Sequence, residues 1–142
     1  MTNINQKELS TLLQKVTKNL FFAHHKQMEE LGLQKTQPHI IHILAKNDGQ
    51  TQVELAQRLE VTPATISAML KRMERDEMVY RVRSKEDARV THVYLSDKGK
   101  ENVDKIKDIF EMMQEKTFQD FTQEEMQQAQ HIFKKIIENL GK

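Results

Sequence analysis

Residues 62–75 combine small, hydroxyl-bearing side chains with cationic ones in a pattern suited to contacting a polyanion. A helix is predicted here by an apolar stripe with three- and four-residue spacing, made of Ile66, Met69, Leu70 and Met73. The opposite face is small and hydroxylated at its start and basic at its end, and it carries Ala64, Thr65, Ser67, Ala68, Lys71, Arg72 and Arg75. Such a face suits insertion into a DNA major groove, with the cations on phosphates. Hydroxyl residues near a helix start also serve as caps, so this face alone leaves both interpretations open.

A second concentration of cations lies on a predicted β-hairpin. Two β-branched and aromatic runs, residues 79–83 and 90–95, flank the polar loop 84–89. A guanidinium at the tip of such a hairpin can enter the narrow minor groove of DNA. Asp87 precedes Arg89 by two positions, so it is expected either to hold the guanidinium or to close the turn as an Asx residue. A basic hairpin alone is also a common way to keep a sheet edge soluble.

The helix and the hairpin together predict a winged helix-turn-helix that binds double-stranded DNA. Arg81 and Arg83 share one face of the first strand. The complete set of predicted DNA-binding residues is Thr62, Pro63, Ala64, Thr65, Ser67, Lys71, Arg72, Arg75, Arg81, Arg83, Lys85, Asp87 and Arg89.

The elements that must position these residues are mainly helical. The apolar spacing predicts one long helix over residues 8–30, ending near Gly32, and a second between Thr36 and residues 47–49. A capping box at Thr51 and Glu54 predicts a short third helix. The inward-facing residues expected on this third helix are Val53, Leu55, Ala56 and Leu59.

The fourth helix is predicted to start at Thr62, an N-cap, followed by Pro63 at the first helical position. Ser96 is expected to cap a long fifth helix, and a capping box at Thr122 and Glu125 predicts a last one. The predicted fold class is therefore mainly α with a small β-hairpin wing, in the order α-α-α-α-β-β-α-α.

Composition excludes several classes of function. The 142 residues are one domain's worth, with 30% charged and 37% hydrophobic residues, as in a helix-rich globular protein. The absence of cysteine excludes disulfides, thiolate metal sites and cysteine nucleophiles. No signal-peptide pattern or membrane-length apolar run is present, so a soluble cytoplasmic protein with no membrane partner is expected. No phosphate loop, nucleophile elbow or metal-spaced cluster appears, so no enzyme and no cofactor are predicted.

The stretch TQVELAQRLEVTPATISAMLKRMERDEMVYRVRSKEDARVTHVYLSDKG resembles the DNA-binding core of the MarR (multiple antibiotic resistance regulator) family. The most diagnostic piece is Asp87-Ala88-Arg89, followed by Val93-Tyr94-Leu95-Ser96 and Gly99. The long flanking helices extend the resemblance over nearly the whole chain. It implies one MarR-like domain over residues 1–142, with a winged helix-turn-helix core at 36–99 and dimerisation helices at 1–32 and 100–142.

The resemblance also implies how the protein works. In this family the outer helices of two subunits interlock, and most members are repressors that bind inverted repeats and are released by small anionic or phenolic effectors, oxidation or metal. We therefore predict a homodimer on a pseudo-palindromic operator, with two half-sites ~10 bp apart. The apolar stripes of the terminal helices fit this interface, although an intramolecular bundle would also bury them.

The effector is the least defined part of the prediction. Four residues near the family's effector pocket are its candidate lining: His24, Met28, His39 and His42. His39 matches a ligand position of the zinc-sensing branch, but that branch also uses a histidine pair on the fifth helix, and residues 103–107 contain none. No metal site is therefore assigned. A metal-responsive regulator and a winged helix used for protein–protein contact remain alternatives to a small-molecule-released repressor.

Overall fold

A computed structural model describes residues 3–34 and 36–141 of the chain. Its helices and strands are, in order, α1 (Gln6–Glu30), α2 (Gln37–Lys46), β1 (Gln50–Thr51), α3 (Gln52–Leu59), α4 (Pro63–Arg75), β2 (Val79–Arg83), β3 (Thr91–Leu95), α5 (Asp97–Glu101), α6 (Val103–Thr117) and α7 (Gln123–Asn139). The chain divides after Phe110 into two compact units, and each is described by itself. Among the described residues, no helix is both long and apolar enough to cross a membrane.

The first unit is organised around one apolar core. Its fully buried side chains come from α2, α3, α4, β3 and α6 together with the turn after α1, and the largest are Leu33, Ile40, Ile41, Leu44, Leu55, Ile66, Leu70, Met73, Val93 and Ile106. Helix α4 buries its apolar stripe as predicted, with only Met69 partly exposed. The fold therefore presents the opposite face of α4 to solvent.

A three-stranded antiparallel sheet, in the order β1-β3-β2, carries the hairpin. The hairpin register pairs Val79 with Leu95 and Arg83 with Thr91. Strand β1 was not predicted, because two residues are too few to show the alternation of side chains that predicts a strand. It pairs with β3 at Val93 and His92 and so attaches the middle of the hairpin to the start of α3.

Several predicted helix ends are confirmed. Gly32 ends α1 with a φ of 77°, a left-handed conformation that glycine adopts without strain. The Thr62 hydroxyl caps α4 by accepting a hydrogen bond from the Thr65 amide at 3.1 Å. The capping box that starts α7 is complete, because the Glu125 amide donates to the Thr122 hydroxyl and the Thr122 amide donates to the Glu125 carboxylate.

Three details of the helix prediction are wrong. Val53 was expected to face inward but is 64% exposed. The reason is that it lies about 200° around the helix from the buried Leu55, at about 100° per residue. The capping box at Thr51 forms only in part: the Thr51 hydroxyl accepts from the Glu54 amide, while the reciprocal bond is absent from the described hydrogen bonds.

The predicted long fifth helix is also divided. Ser96 caps the short α5, as its hydroxyl accepts from the Gly99 amide, and the chain turns at Asn102 before α6 begins. The Asn102 side chain donates to the Lys98 carbonyl at 3.1 Å, which gives the turn a local hydrogen bond. Gly99 is required at this corner, because a Cβ there would collide with the Met78 carbonyl oxygen.

Candidate DNA-binding surface

The exposed face of α4 is made by a sharp turn after α3. Helix α3 ends at Glu60, which adopts a left-handed conformation with φ of 55°, and the Val61 amide donates to the Ala56 carbonyl. The small, buried Ala56 lets α4 pass close to α3. Every predicted contact residue on and beside α4 is exposed: Thr62, Pro63, Ala64, Thr65, Ser67, Lys71, Arg72 and Arg75.

At the start of α4, two hydroxyl groups are ordered by each other. The Thr62 hydroxyl donates to the Thr65 hydroxyl at 2.8 Å while it accepts from the Thr65 amide. The Thr65 oxygen therefore acts as an acceptor inside the cap, and these bonds do not use its own proton. A capping role and an outward contact role are compatible at this position, so the two interpretations of the sequence do not exclude each other.

The wing loop, residues 84–90, is built from short-range hydrogen bonds. The Ser84 amide donates to the Val90 carbonyl at 2.8 Å, which closes the loop. The Ser84 hydroxyl accepts from the amides of Glu86 and Asp87. These bonds fix the backbone beside two exposed cations, Arg83 at the end of β2 and Lys85 in the loop.

Asp87 holds Arg89 in both of the ways the sequence suggested. Its Oδ1 accepts from the Arg89 amide at 3.0 Å, which closes an Asx turn. The same carboxylate accepts from the Arg89 Nε at 3.1 Å and Nη2 at 3.2 Å. The side chain of Arg89 is nevertheless 90% exposed. The hydrogen bonds from the Arg89 side chain and amide lower the pKa of the Asp87 carboxyl, so the wing keeps this anion, and Arg89 keeps its orientation, over the whole neutral range.

Arg81 differs from Arg89 because its paired guanidinium is only 23% exposed. Its Nε donates to Glu74 Oε1 at 2.7 Å, its Nη2 lies 2.6 Å from the same oxygen, and its Nη1 donates to Gln52 at 3.0 Å. The side chain is largely buried. The only sequence signal for the pair of Glu74 and Arg81 is that their charges are opposite and lie seven positions apart. No sequence signal indicated the bond to Gln52.

The predicted effector residues come together only in part. The rings of His24, His39 and His42 lie 6.2, 5.2 and 5.3 Å, centroid to centroid, from the ring of Phe110. Phe110 was not among the candidate pocket residues. Met28, by contrast, is 2% exposed and belongs to the apolar core, so its place in an effector pocket stays a prediction.

The electrostatics of this aromatic cluster favour the neutral imidazole at His39 and at His42. Although His39 keeps solvent contact, partial burial lowers its pKa, and the neighbouring His24 and His42 lower it further. Burial also lowers the pKa of His42, with added repulsion from Lys46 and Lys107. His24 Nδ1 is buried and has no hydrogen-bond partner among the described residues. Within the described residues, no group of three or more histidine or acidic side chains is arranged to hold a metal ion.

Comparison with known proteins gives one family. The profile of the MarR family matches residues 33–91. The chain is 27% identical to the HTH-type transcriptional repressor MdtR of Bacillus subtilis over 94% of this chain and 83% of that protein. It is 29% identical to the homoprotocatechuate degradative operon repressor of Escherichia coli, over 75% and 72% of the two chains.

A solved structure agrees with the sequence comparisons. The structure of the MepR–DNA complex of S. aureus superposes with a TM-score of 0.85 at 25% identity, covering 93% of this chain and 97% of that one. This agreement confirms the predicted fold class, a mainly helical chain with a small β wing. The relatives are transcriptional regulators, which confirms that the chain is not an enzyme. The profile match over residues 33–91 and these similar proteins confirm the predicted resemblance to the MarR family.

Proposed function

We propose that this protein is a sequence-specific double-stranded DNA-binding transcriptional regulator that acts as a repressor. Two independent lines support this function. The exposed face of α4 and the wing present cations and hydroxyl groups on the same unit of the chain. Two similar proteins are named as repressors, and a third was solved as a complex with DNA.

In the proposed complex, α4 enters a major groove ~12 Å wide with its N-terminus leading. Ala64, Thr65 and Ser67 are small enough to approach base edges, and the hydroxyl proton of Thr65 is available to an acceptor there. The cations at the far end of the helix face the phosphates, and they are Lys71, Arg72 and Arg75. Base contacts then supply specificity, and the cations supply the salt-dependent part of the affinity.

The single observation that carries the proposal is the state of Arg89. A guanidinium that is 90% exposed yet held through its Nε, Nη2 and backbone amide by one carboxylate is oriented without being covered. Orientation of an exposed cation contributes little to folding, because solvent screens ion pairs at the surface. It does reduce the entropy lost when a ligand binds. We assign Arg89 to the DNA minor groove, and Asp87 to holding it.

We further propose that the functional unit is a homodimer in which residues 36–99 read DNA and residues 1–32 and 100–142 join the subunits. Helix α1 exposes an apolar stripe that consists of Leu9, Leu12, Leu13, Val16, Leu20 and Phe21. Helix α7 exposes a second stripe made of Met126, Ile132, Phe133, Ile137 and Leu140. Apolar stripes of this length are rarely left in water. A two-fold axis would bury both and would set two half-sites ~10 bp apart on an inverted repeat.

Release from DNA is proposed to occur through the aromatic cluster of His24, His39, His42 and Phe110. Its members come from α1, α2 and α6, so a bound molecule would bridge the first helix of the chain and the winged helix. The buried, unpaired Nδ1 of His24 offers a hydrogen bond to such a molecule. A small anionic or phenolic effector is the proposed ligand class.

Selection of bound DNA from a random duplex pool tests this function directly. The expected product is an inverted repeat, bound with an affinity that falls steeply as salt rises. Light scattering of the free protein is expected to give twice the chain mass of 16.7 kDa. Failure to enrich any sequence at low salt would contradict DNA recognition and would favour a protein-binding winged helix. A 16.7 kDa species at micromolar concentration would contradict the dimer and the inverted repeat.

A further inference from the structure

Glu74 and Arg81 form the least exposed ion pair among the described residues, with side chains 34% and 23% exposed. Glu74 Oε1 accepts a hydrogen bond from Arg81 Nε at 2.7 Å and lies 2.6 Å from Arg81 Nη2. The second oxygen, Oε2, accepts from the backbone amide of Arg81 at 3.3 Å. The carboxylate therefore holds the strand as well as the side chain, which a chance surface pair does not do.

Gln52 adds a third element to this pair. Its Oε1 accepts from Arg81 Nη1 at 3.0 Å, so the guanidinium donates to α3 and to α4 while it sits on β2. Gln52 is also the first residue of α3, directly after strand β1. The three side chains join the base of the wing to both helices of the helix-turn-helix.

The position of Arg81 along β2 matters for the wing. Val79, at the start of the strand, is buried in the core, whereas Val82 and Arg83 beyond Arg81 are exposed. Arg81 is thus the outermost residue of β2 with a described side-chain hydrogen bond to the body of the unit. On the β2 side, Arg81 is therefore the attachment nearest the wing loop, while β3 is attached separately by its pairing with β1 and by the bond between His92 Nδ1 and the Gly49 carbonyl oxygen.

We infer that the Glu74–Arg81–Gln52 triad is a positioning device that fixes the wing relative to the recognition helix α4. The inference rests on the proposed DNA-binding function. Helix α4 and Arg89 must contact the duplex at the same time, which favours a fixed distance between them. Any motion left in the hairpin would be lost on binding and would reduce the affinity. Arg81 then affects DNA binding by setting the position of Arg89, and it makes no phosphate contact of its own.

The direction in which one substitution changes the affinity for DNA separates this inference from simple electrostatics. Glu74 is an acidic residue on the helix proposed to meet a polyanion. Removing its charge should strengthen DNA binding if only the net field matters. If Glu74 positions the wing, Glu74→Gln should weaken binding by about tenfold, the size of effect typical for residues coupled in one hydrogen-bond network. Glu86→Gln is the matched control, since Glu86 is an exposed wing acid outside the triad.

Anisotropy titrations on the selected operator, combined with thermal unfolding, form the first arm of the experiment. The expected result is weaker binding by Glu74→Gln and by Arg81→Gln, a double variant no worse than either single one, and unchanged or tighter binding by Glu86→Gln. Tighter binding by Glu74→Gln would overturn the inference. So would a lowered Tm with an unchanged Kd for DNA, because that result describes a pair that only stabilises the fold.

A second arm works without DNA. The chain has no cysteine, so Ala68→Cys on α4 and Lys85→Cys in the wing can be spin-labelled uniquely and diluted with unlabelled protein. The distance distribution between the labels is expected to be narrow with Glu74 and broader with Glu74→Gln. Equal widths would overturn the inference even if the protein binds DNA. If the wild-type protein selects no DNA, the proposed function fails and the inferred role fails with it, while the label distances still report whether the triad holds the wing.

Discussion

The winged helix-turn-helix and the long α1 helix use the same apolar spacing with opposite outcomes. In α4 the stripe residues Ile66, Leu70 and Met73 are at most 1% exposed. In the first four turns of α1 the stripe residues are 42–57% exposed. Helical period determines which side chains share a face, but it does not supply the surface that covers the face. The apolar stripe of α4 is covered by the rest of its own chain, and the stripe of α1 is exposed.

Helix α7 repeats the pattern of α1 in the second unit, with Phe133 and Ile137 each about half exposed. Burial of apolar surface is worth roughly 25 cal/mol per Å², so covering two such stripes is a large source of free energy. The apolar core of the winged helix is buried when the chain folds, whereas the stripes of α1 and α7 are proposed to be buried when two subunits associate. The predictions below separate these two sources, beginning with the largest expected effect.

The largest effect is expected at the apolar stripes. Leu12→Glu and Phe133→Glu each place two charges per dimer into the proposed interface, so the dissociation constant of the dimer should rise by roughly a hundredfold or more. Light scattering should then give the 16.7 kDa chain. Lys18→Glu, on the opposite face of α1, is the control and should leave the dimer intact. A dimer unaffected by both stripe substitutions would show that the stripes do not form the interface.

The next effect belongs to the core of the winged helix. Leu55→Ala removes a fully buried side chain, so the free energy of unfolding should fall by about 2–5 kcal/mol. Val53→Ala, two residues away but exposed, should change it by less than about 0.5 kcal/mol. Chemical denaturation measures both. Comparable losses for the two variants would mean that α3 is rotated about its axis relative to the arrangement described here.

Arg89→Ala should weaken DNA binding by about 1–3 kcal/mol and reduce the slope of log K against log salt by about one, because one phosphate-neutralising cation is lost. Asp87→Asn should cost less, since the guanidinium keeps its charge and loses only part of its hold. Salt titrations by anisotropy measure both quantities, with Lys15→Ala on α1 as the control. An Arg89→Ala variant with unchanged affinity and slope would remove the wing from the DNA-binding surface.

The smallest effect concerns pH. The folded protein lowers the pKa values of His39 and His42 from about 6.5, so the unfolded chain binds more protons in this range. Stability from this source is complete above pH 6.5 and is lost as the pH falls through the lowered values. His42→Gln should therefore flatten the decline in unfolding free energy between neutral and mildly acidic pH. His131→Gln on α7 is the comparison variant. If it flattens the decline in unfolding free energy as much as His42→Gln does, the decline does not come from His42.

The sequence by itself determined most of the helix boundaries, the hairpin and the exposed face of α4. Thr62-Pro63 and the Thr122–Glu125 box start helices by bonds between residues no more than three apart, and Asp87 reaches Arg89 across a single residue. Interactions of this range depend on local conformation alone, so spacing is enough to predict them. The MarR signature could be identified for the same reason, since it lies in one continuous segment.

Only the tertiary structure decided the rest. The pairing of β1 with β3 and the break at Asn102 depend on which surfaces pack against these segments. Arg81 is the clearest case, because its partners Glu74 and Gln52 are seven and 29 positions away. Composition and period place a cation on a strand, but its role depends on the side chains that the folded backbone brings within hydrogen-bonding distance. For Arg81 those side chains belong to the protein itself, whereas the guanidinium of Arg89 remains exposed to solvent.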